Sequence, residues 1–383
     1  MRNSVLMATM MAMLVWDVPV QAQSGDPYVF LRNAASGYAE VLPGHKLDFP
    51  RDYGAHPEFR IEWWYVTANL QDIDGSHYGV QWTLFRQSLS PQISTIDEQG
   101  GEKLDWGSNQ VWLAHAAITN QKLHRHWQKM ARGGIGQAGV DAQPFSAWID
   151  HWALGTSLSS RSNDLYPLDL RFSINDNGEY AANLQLTAGT PMVLNGLDGY
   201  SQKSASGQAS YYYSQPHLEV SGQIVWQGEP VMVTGQAWLD REWSSQPLAE
   251  NQSGWDWFSL HLDDGRALML YQMREIGDKN KDEYRVSGSL VAKNGSKINI
   301  LQDEVQLEVL TTKTLDNQTL PLRWHVSIPK YDIDLTIEPL HDQQFISGFL
   351  PYWEGVIFAF DSKDYSLLRR QVGRGYMELM GYN

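Results

Sequence analysis

Polar residues set among aromatic residues are the first candidates for chemistry in this sequence. Glu62 precedes two tryptophans, His115 interrupts an apolar run, and Asp240 and Glu242 stand in a segment rich in tryptophan. A carboxylic acid in an apolar pocket has a raised pKa, so it stays protonated near neutral pH and can donate a proton. The sequence therefore predicts that Asp240, Glu242 or Glu62 acts as an acid, with His115 or His56 assisting.

Alternation along the strand predicted around residue 240 divides its side chains between two faces. Trp238, Asp240 and Glu242 share one face, while Arg241 and Trp243 share the other. One set is expected to line a cavity, and the other to pack elsewhere. A structural role is the alternative, since Asp240 and Arg241 could form an ion pair between domains.

The same alternative applies to the other two catalytic candidates. Glu62 could be a satisfied structural acid, and His115 could be a hydrogen-bonded core histidine.

An acid beside tryptophan suits the hydration of an alkene. That reaction needs a strong proton donor, a shielded carbocation and a placed water, and a desolvated tryptophan face stabilises a cation by up to about 2 kcal/mol. The ligand is therefore expected to be apolar, and its pocket to have aromatic walls. The residues predicted to contact it are His56, Trp64, Tyr65, Trp82, Tyr212, Trp238, Arg241, Trp243, Trp257 and Tyr271.

No metal or cofactor is expected. The chain has no cysteine, which excludes thiolate metal sites, and His56 and His115 do not have the spacing of metal ligands. The sequence contains no P-loop, no GxSxG and no HExxH. The formal net charge is −15, with the acidic residues scattered along the chain, so a nucleic-acid partner is not expected.

The N-terminal residues 1–22 resemble a secretory signal. Arg2 precedes the apolar run Val5–Trp16, and Val20-Gln21-Ala22 has the small residues of a cleavage site. The apolar run is too short to span a bilayer, which takes about 20 residues. A mature, periplasmic or secreted protein without a membrane span is therefore expected to start near Gln23.

Short alternating runs separated by turn residues predict an all-β fold. Ile61–Leu70 and His77–Gln87 form one predicted hairpin, and Trp255–Leu262 and Arg266–Arg274 form another. Arg132–Ala147, with its four glycines, is expected to be a long loop with one helical turn.

The two hairpins repeat one pattern, in which a tryptophan–aromatic strand, an Asp-Gly turn and a strand ending in arginine follow each other. Its members are Trp64-Tyr65, Asp74-Gly75 and Phe85-Arg86, then Trp257-Phe258, Asp264-Gly265 and Met273-Arg274. The repeat predicts two copies of one antiparallel barrel, covering residues 23–245 and 246–383. An eight-stranded barrel of this kind can hold one small ligand.

Four segments together resemble the hydroxyneurosporene synthase family, which includes the carotenoid 1,2-hydratases and the AttH proteins. They are Glu62-Trp63-Trp64-Tyr65, Tyr211-Tyr212-Tyr213-Ser214, Gly235 to Trp243, and Gly254-Trp255-Asp256-Trp257-Phe258. The resemblance covers roughly residues 45–383 and implies a pair of lipocalin-like barrels. The hydratase branch implies the addition of water to an isoprenoid double bond without a cofactor. The AttH branch implies an exported protein, often linked to an ABC export system.

Two departures make the AttH branch the closer likeness. The hydratases typically have histidine at the position of Arg241, and their Tyr-x-Asp falls on Tyr271-Gln272-Met273, where methionine cannot donate a proton. The leading expectation is thus a protein that binds a lipid or isoprenoid-like molecule inside one barrel or between the barrels. The alternatives are a hydratase, isomerase or hydrolase, and an accessory subunit of an ABC exporter.

Overall fold

The computed structural model describes residues 28–33, 35–91, 108–160, 164–174, 178–277, 285–364 and 369–382. The predicted signal peptide therefore lies outside the described residues. Antiparallel strands make up nearly all of the regular structure, besides one short helix, α1 (Val29–Arg32), and 3-10 turns at Arg51–Tyr53, Gln302–Glu304 and Pro329–Tyr331. In chain order the strands are β1 (Ile61–Gln71), β2 (His77–Ser88), β3 (Gln110–Asn120), β4 (His124–Arg132), β5 (Ala138–Ala142), β6 (Phe145–Ile149), β7 (Trp152–Thr156), β8 (Leu168–Ser173), β9 (Tyr180–Ala188), β10 (Val193–Leu194), β11 (Tyr200–Gln202), β12 (Ala209–Trp226), β13 (Glu229–Ser244), β14 (Gln252–Leu262), β15 (Ala267–Glu275), β16 (Arg285–Val291), β17 (Lys297–Ile300), β18 (Gln306–Leu315), β19 (Gln318–Ile328), β20 (Ile333–Pro339), β21 (Phe345–Ile346), β22 (Tyr352–Asp361) and β23 (Gln371–Met380).

The strands form two curled sheets from consecutive parts of the chain. The first has the order β4-β3-β2-β1-β13-β12-β9-β8-β7-β6-β5, with β10 and β11 added to β12. The second has the order β17-β16-β15-β14-β23-β22-β20-β19-β18, with β21 added to β22. The predicted all-β fold with two antiparallel barrels is confirmed.

The predicted internal repeat occupies equivalent places in the two barrels. In each sheet the first hairpin (β1–β2 or β14–β15) is central, and its first strand also pairs with the last strand of the sheet (β13 or β23). The turn glycines Gly75 and Gly265 have φ values of +81° and +85°, a conformation that costs glycine little. The Asp-Gly pairs therefore set the same hairpin in both halves.

The prediction of a long loop over Arg132–Ala147 is wrong in part. It contains β5 and the start of β6, which pair with each other. The positive φ values of Gly134 and Gly136 fall in the turn that precedes β5. Three of the four glycines thus lie in the turn before the β5–β6 hairpin, and Gly139 lies within β5.

Two large cores occupy the concave sides of the barrels. The first contains Trp82 and Trp152 with side chains from both ends of the first sheet, so that sheet wraps around it. The second core contains Phe258, Trp324 and Trp353, and the second sheet wraps around it in the same way. Each barrel therefore has a hydrophobic core of its own.

A third apolar cluster joins the barrels. The outer faces of the central strands pack against each other there, with the Tyr65 ring meeting the Trp257 ring edge-on at 5.4 Å between centroids. At Gly79 the barrels approach so closely that an added Cβ would lie 2.3 Å from Val356 Cγ2 and 2.5 Å from the Tyr376 hydroxyl oxygen. A side chain at position 79 would force the two sheets apart.

Replacing Gly79 with valine is therefore expected to lower the free energy of unfolding by about 1–3 kcal/mol, the usual cost of overpacking. Urea titration followed by circular dichroism measures the change. Gly189→Val is the matched control, because an added Cβ meets nothing within 4 Å there. Equal stability of the two variants would contradict a tight contact at Gly79.

Candidate active site

An aromatic-walled cavity lies between the barrels and has an empty volume of about 790 Å³, counting solvent at its mouth. One wall comes from β1, β2, β12 and β13, and the other from β14, β15 and β23. Its ionisable residues are Lys203, Asp240, Glu242 and Glu378, besides tyrosines. Its aromatic residues are Trp63, Tyr65, Phe85, Tyr212, Trp255, Trp257 and Tyr271.

Asp240 on β13 is a buried carboxyl held by neutral donors. Its Oδ1 accepts hydrogen bonds from the Ser214 hydroxyl and from Trp238 Nε1 (2.7 Å), and its Oδ2 accepts one from the Tyr212 hydroxyl (2.6 Å). No cation forms an ion pair with it in the described part of the chain. Burial raises the pKa of Asp240 to about 7, although the three hydrogen bonds act in the opposite direction. Asp240 is thus about half protonated at neutral pH.

Glu378 on β23 is the second carboxyl at the cavity. Its Oε1 accepts a hydrogen bond from Trp255 Nε1 (2.6 Å), and its other oxygen has no hydrogen-bond partner among the described residues. Burial raises the pKa of Glu378 to about 7, helped by the negative charges of Asp240 and Glu242. One oxygen of a protonatable group is therefore available to a ligand.

A third buried carboxyl, Glu354, lies directly opposite Glu378 across the β22–β23 pair. The Tyr65 hydroxyl donates a hydrogen bond to it. Burial and the neighbouring Glu378 hold the pKa of Glu354 well above its ordinary value. The protonated form of Glu354 is therefore favoured, which limits the negative charge beside Glu378.

His115 lies behind this wall and does not line the cavity. Its Nδ1 is 3.0 Å from the hydroxyl oxygen of Tyr352. Burial lowers the pKa of His115 to about 3, so the ring is neutral and a weak base. His115 is therefore a buried histidine with one of its two ring nitrogens hydrogen-bonded.

Lys203 and Glu242 form a buried ion pair at the cavity, with 2.8 Å between Nζ and Oε1. The Lys203 ammonium also lies 4.3 Å from the ring centroid of Tyr271. Burial is the largest single influence and opposes the charge, but Glu242, Tyr271 and Asp240 together outweigh it, so the pKa of Lys203 is raised. Glu242 is therefore the ion-pair partner of Lys203 at the cavity.

Glu62 lies in the core of the first barrel, away from the cavity. Its carboxylate accepts hydrogen bonds from Arg86 Nε, from Arg241 Nη2 and from the backbone nitrogen of His56. Burial alone would raise its pKa, but the two guanidinium groups hold the pKa of Glu62 well below its ordinary value. The ionised form of Glu62 is therefore favoured, and this environment does not suit a proton donor.

Comparison with known proteins places the chain in a family. A model of the AttH-like family matches residues 40–382. The chain is a member of the AttH-like family. No functionally curated protein matches the sequence.

Solved structures share the fold of this AttH-like protein. The crystal structure of an AttH from Nitrosomonas europaea is 34% identical, covers 90% of this chain and 100% of its own, and has a TM-score of 0.74. Kievitone hydratase from Nectria haematococca is 15% identical, with 93% and 94% covered and a TM-score of 0.59. CghA with Sch210972 is 11% identical, with 92% and 98% covered and a TM-score of 0.51. The last two likenesses show the fold alone.

The structure divides the predicted site residues of the AttH-like protein into two groups. The face division around residue 240 is confirmed, because its two sets of side chains lie on opposite sides of β13. Those at the cavity, or bonded to Asp240 beside it, are Tyr65, Tyr212, Trp238, Asp240, Glu242, Trp257 and Tyr271. Those elsewhere are His56, Glu62, Trp64, Trp82, His115, Arg241 and Trp243.

Sequence reasoning missed Glu378, Glu354, Lys203 and Trp255 in the AttH-like protein. Glu378 interrupts the apolar run of β23, which is the signal that drew attention to His115. Met273 lines the cavity, so the position that the hydratase resemblance assigns to an acid is occupied by a thioether. Among the described residues, no group of three or more histidines and acids could hold a metal ion, and no helix is long and apolar enough to cross a membrane.

Proposed function

We propose that this AttH-like protein binds an apolar, lipid- or isoprenoid-like molecule between its barrels and transfers a proton to it without a cofactor. The observation that carries the proposal is the pair of cavity-lining carboxyls, Asp240 and Glu378, whose pKa values burial raises to about 7. A group that titrates near the working pH is the most effective general acid. The aromatic walls give the same space an apolar lining.

Glu378 is assigned as the proton donor, because one of its carboxyl oxygens accepts no hydrogen bond from the described residues. Its proton adds to one carbon of a double bond and leaves a carbocation and the Glu378 carboxylate. The faces of Trp255 and Trp257 stabilise the cation. Water then bonds to the cation and returns a proton to Glu378, so the product is an alcohol and the acid is regenerated.

Asp240 is assigned as the group that orients the Tyr212 hydroxyl at the cavity. The Tyr212 hydroxyl, which lines the cavity, donates to Asp240 and accepts a hydrogen bond from Trp257 Nε1 (3.3 Å). The neighbour kievitone hydratase is named for a hydration, which makes hydration the first reaction to test. A carrier without turnover is the competing function, since the same cavity could simply store its ligand.

Incubation with geranylgeraniol in heavy water tests the proposal, because reversible protonation of a double bond introduces deuterium that mass spectrometry detects. The expected result is deuterium incorporation or a hydrated product with the unmodified protein. Glu378→Gln should lower the rate at least about 100-fold, since a general acid contributes that much. Glu229→Gln, at an exposed position, is the control and should leave the rate unchanged.

Binding of geranylgeraniol, measured by calorimetry in the same samples, separates the two functions. Binding without any exchange or product would support the carrier and overturn proton transfer. Absence of binding, tested with a fatty acid and a fatty alcohol as well, would overturn the cavity as an apolar site.

A further inference from the structure

A polar cleft adjoins the aromatic cavity and shares Met273 with it. The cleft has an empty volume of about 540 Å³, counting solvent at its mouth. Its side chains are predominantly hydrogen-bonding groups, in contrast to the aromatic walls next to it. Among them are Ser204, Ser206, Asn251, Gln252, Glu275 and Arg285.

Arg285 is the cation among the residues that line this cleft, and it has no ion-pair partner within the ranges that the structure describes. It lies directly opposite Met273 in the β15–β16 pair, so both side chains project from the face of the sheet that meets the first barrel. Its Nε is buried without a hydrogen-bond acceptor, and no carboxylate is paired with the guanidinium among the described residues. A buried donor left unsatisfied is unfavourable, and an arriving acceptor would remove that cost.

The neighbouring cation cannot take this role. Lys203, next to the cleft in sequence, is already paired with Glu242 at 2.8 Å. Gln252, which also lines the cleft, donates to the Lys203 carbonyl oxygen (3.0 Å) and fixes the chain there. Arg285 is therefore the available positive charge at the junction of the two spaces.

We propose that the cleft binds the carboxylate head of an amphipathic ligand whose apolar body fills the aromatic cavity. The inference deepens the proposed function and rests on it. A guanidinium matches a carboxylate with two parallel hydrogen bonds. Glu275 also lines the cleft, so a head group with a single negative charge is preferred to one with two. Met273, apolar and flexible, lies where head and tail join.

This arrangement would give the protein positional specificity. With the head held at Arg285, the length of the tail decides which carbon atoms lie beside Glu378. A ligand without the carboxylate would still enter the aromatic cavity but would slide within it.

Calorimetry with three ligands of equal tail length tests the subsite: dodecanoate, dodecanol and dodecylamine. The intact protein is expected to bind dodecanoate about tenfold more tightly than dodecanol, the gain of a charge-assisted hydrogen bond, and dodecylamine most weakly. Arg285→Gln should bind dodecanoate and dodecanol equally, with the affinity for dodecanol unchanged. Arg171→Gln, at an exposed position on β8, should behave as the intact protein.

The results separate the two proposals. Equal binding of dodecanoate and dodecanol to the intact protein, or a preference for dodecylamine, would overturn the carboxylate subsite and leave the aromatic cavity standing. Failure of all three to bind would overturn the cavity and the subsite together. The comparison of ligands on the intact protein needs no variant, so it holds even if Arg285→Gln folds poorly.

Discussion

Replacing Glu62 with glutamine is expected to lower the free energy of unfolding by about 3–5 kcal/mol. The carboxylate is fully buried and lies between the guanidinium groups of Arg86 and Arg241, which are themselves buried. Glutamine keeps the shape but leaves two positive charges without a counter-ion in the core. Breaking a buried ion pair from one side costs this much because the remaining charge stays desolvated.

Chemical unfolding at neutral pH measures the change, with Glu58→Gln as the control. Glu58 pairs with Arg51 at 3.5 Å on the surface, where loss of an ion pair costs at most about 1 kcal/mol. Because the folded-state pKa of Glu62 is depressed, its stabilisation is present above the unfolded value near 4.5 and is lost as the pH falls. Glu62→Gln should therefore be least destabilising in acid. If Glu62→Gln and Glu58→Gln lowered the free energy of unfolding equally at neutral pH, the buried ion pairs of Glu62 with Arg86 and Arg241 would be contradicted.

Alternation along β13 was enough to separate the side chains of the candidate site into two sets, but not to orient them. Asp240 and Glu242 face the other barrel, whereas Arg241 and Trp243 face the core of their own barrel. Both faces of this strand are buried, so neither shows the exposed polar pattern that marks an outside. The two-residue period of a strand does not show which set of side chains lines a cavity, because that depends on how the two barrels pack against each other.

The roles of Glu62 and Glu378 also depended on contacts between distant parts of the chain. Both are single acids among apolar residues, and their local sequences do not distinguish them. Two arginines from other strands stabilise the ionised form of Glu62, while Trp255 is the only hydrogen-bond donor to the Glu378 carboxyl among the described residues. The hairpins, by contrast, were predictable, because an Asp-Gly turn and its flanking strands lie within 30 residues of one another.

Replacing Glu378 with glutamine is also expected to change stability strongly, but it should raise the free energy of unfolding, whereas Glu62→Gln lowers it. Burial raises the folded-state pKa of Glu378 from 4.5 to about 7, so the folded protein holds its proton more tightly than the unfolded chain does. The contribution of Glu378 to stability is therefore full below pH 4.5 and is lost as the pH rises through 7. The difference between the folded and unfolded pKa values corresponds to about 3 kcal/mol of unfolding free energy, since one pKa unit is worth about 1.4 kcal/mol.

Glu378→Gln is uncharged at every pH and escapes this loss. Its free energy of unfolding should match that of the unmodified protein near pH 4 and exceed it by about 3 kcal/mol above pH 8. Urea unfolding at several pH values measures the difference, and Glu229→Gln, at an exposed position, should show none. A difference that does not change with pH would mean that Glu378 is already ionised in the folded protein, and would remove it as a proton donor. A variant that is more stable in alkali and yet unable to exchange deuterium would instead show that the barrels give up stability to keep an acid in an apolar cavity.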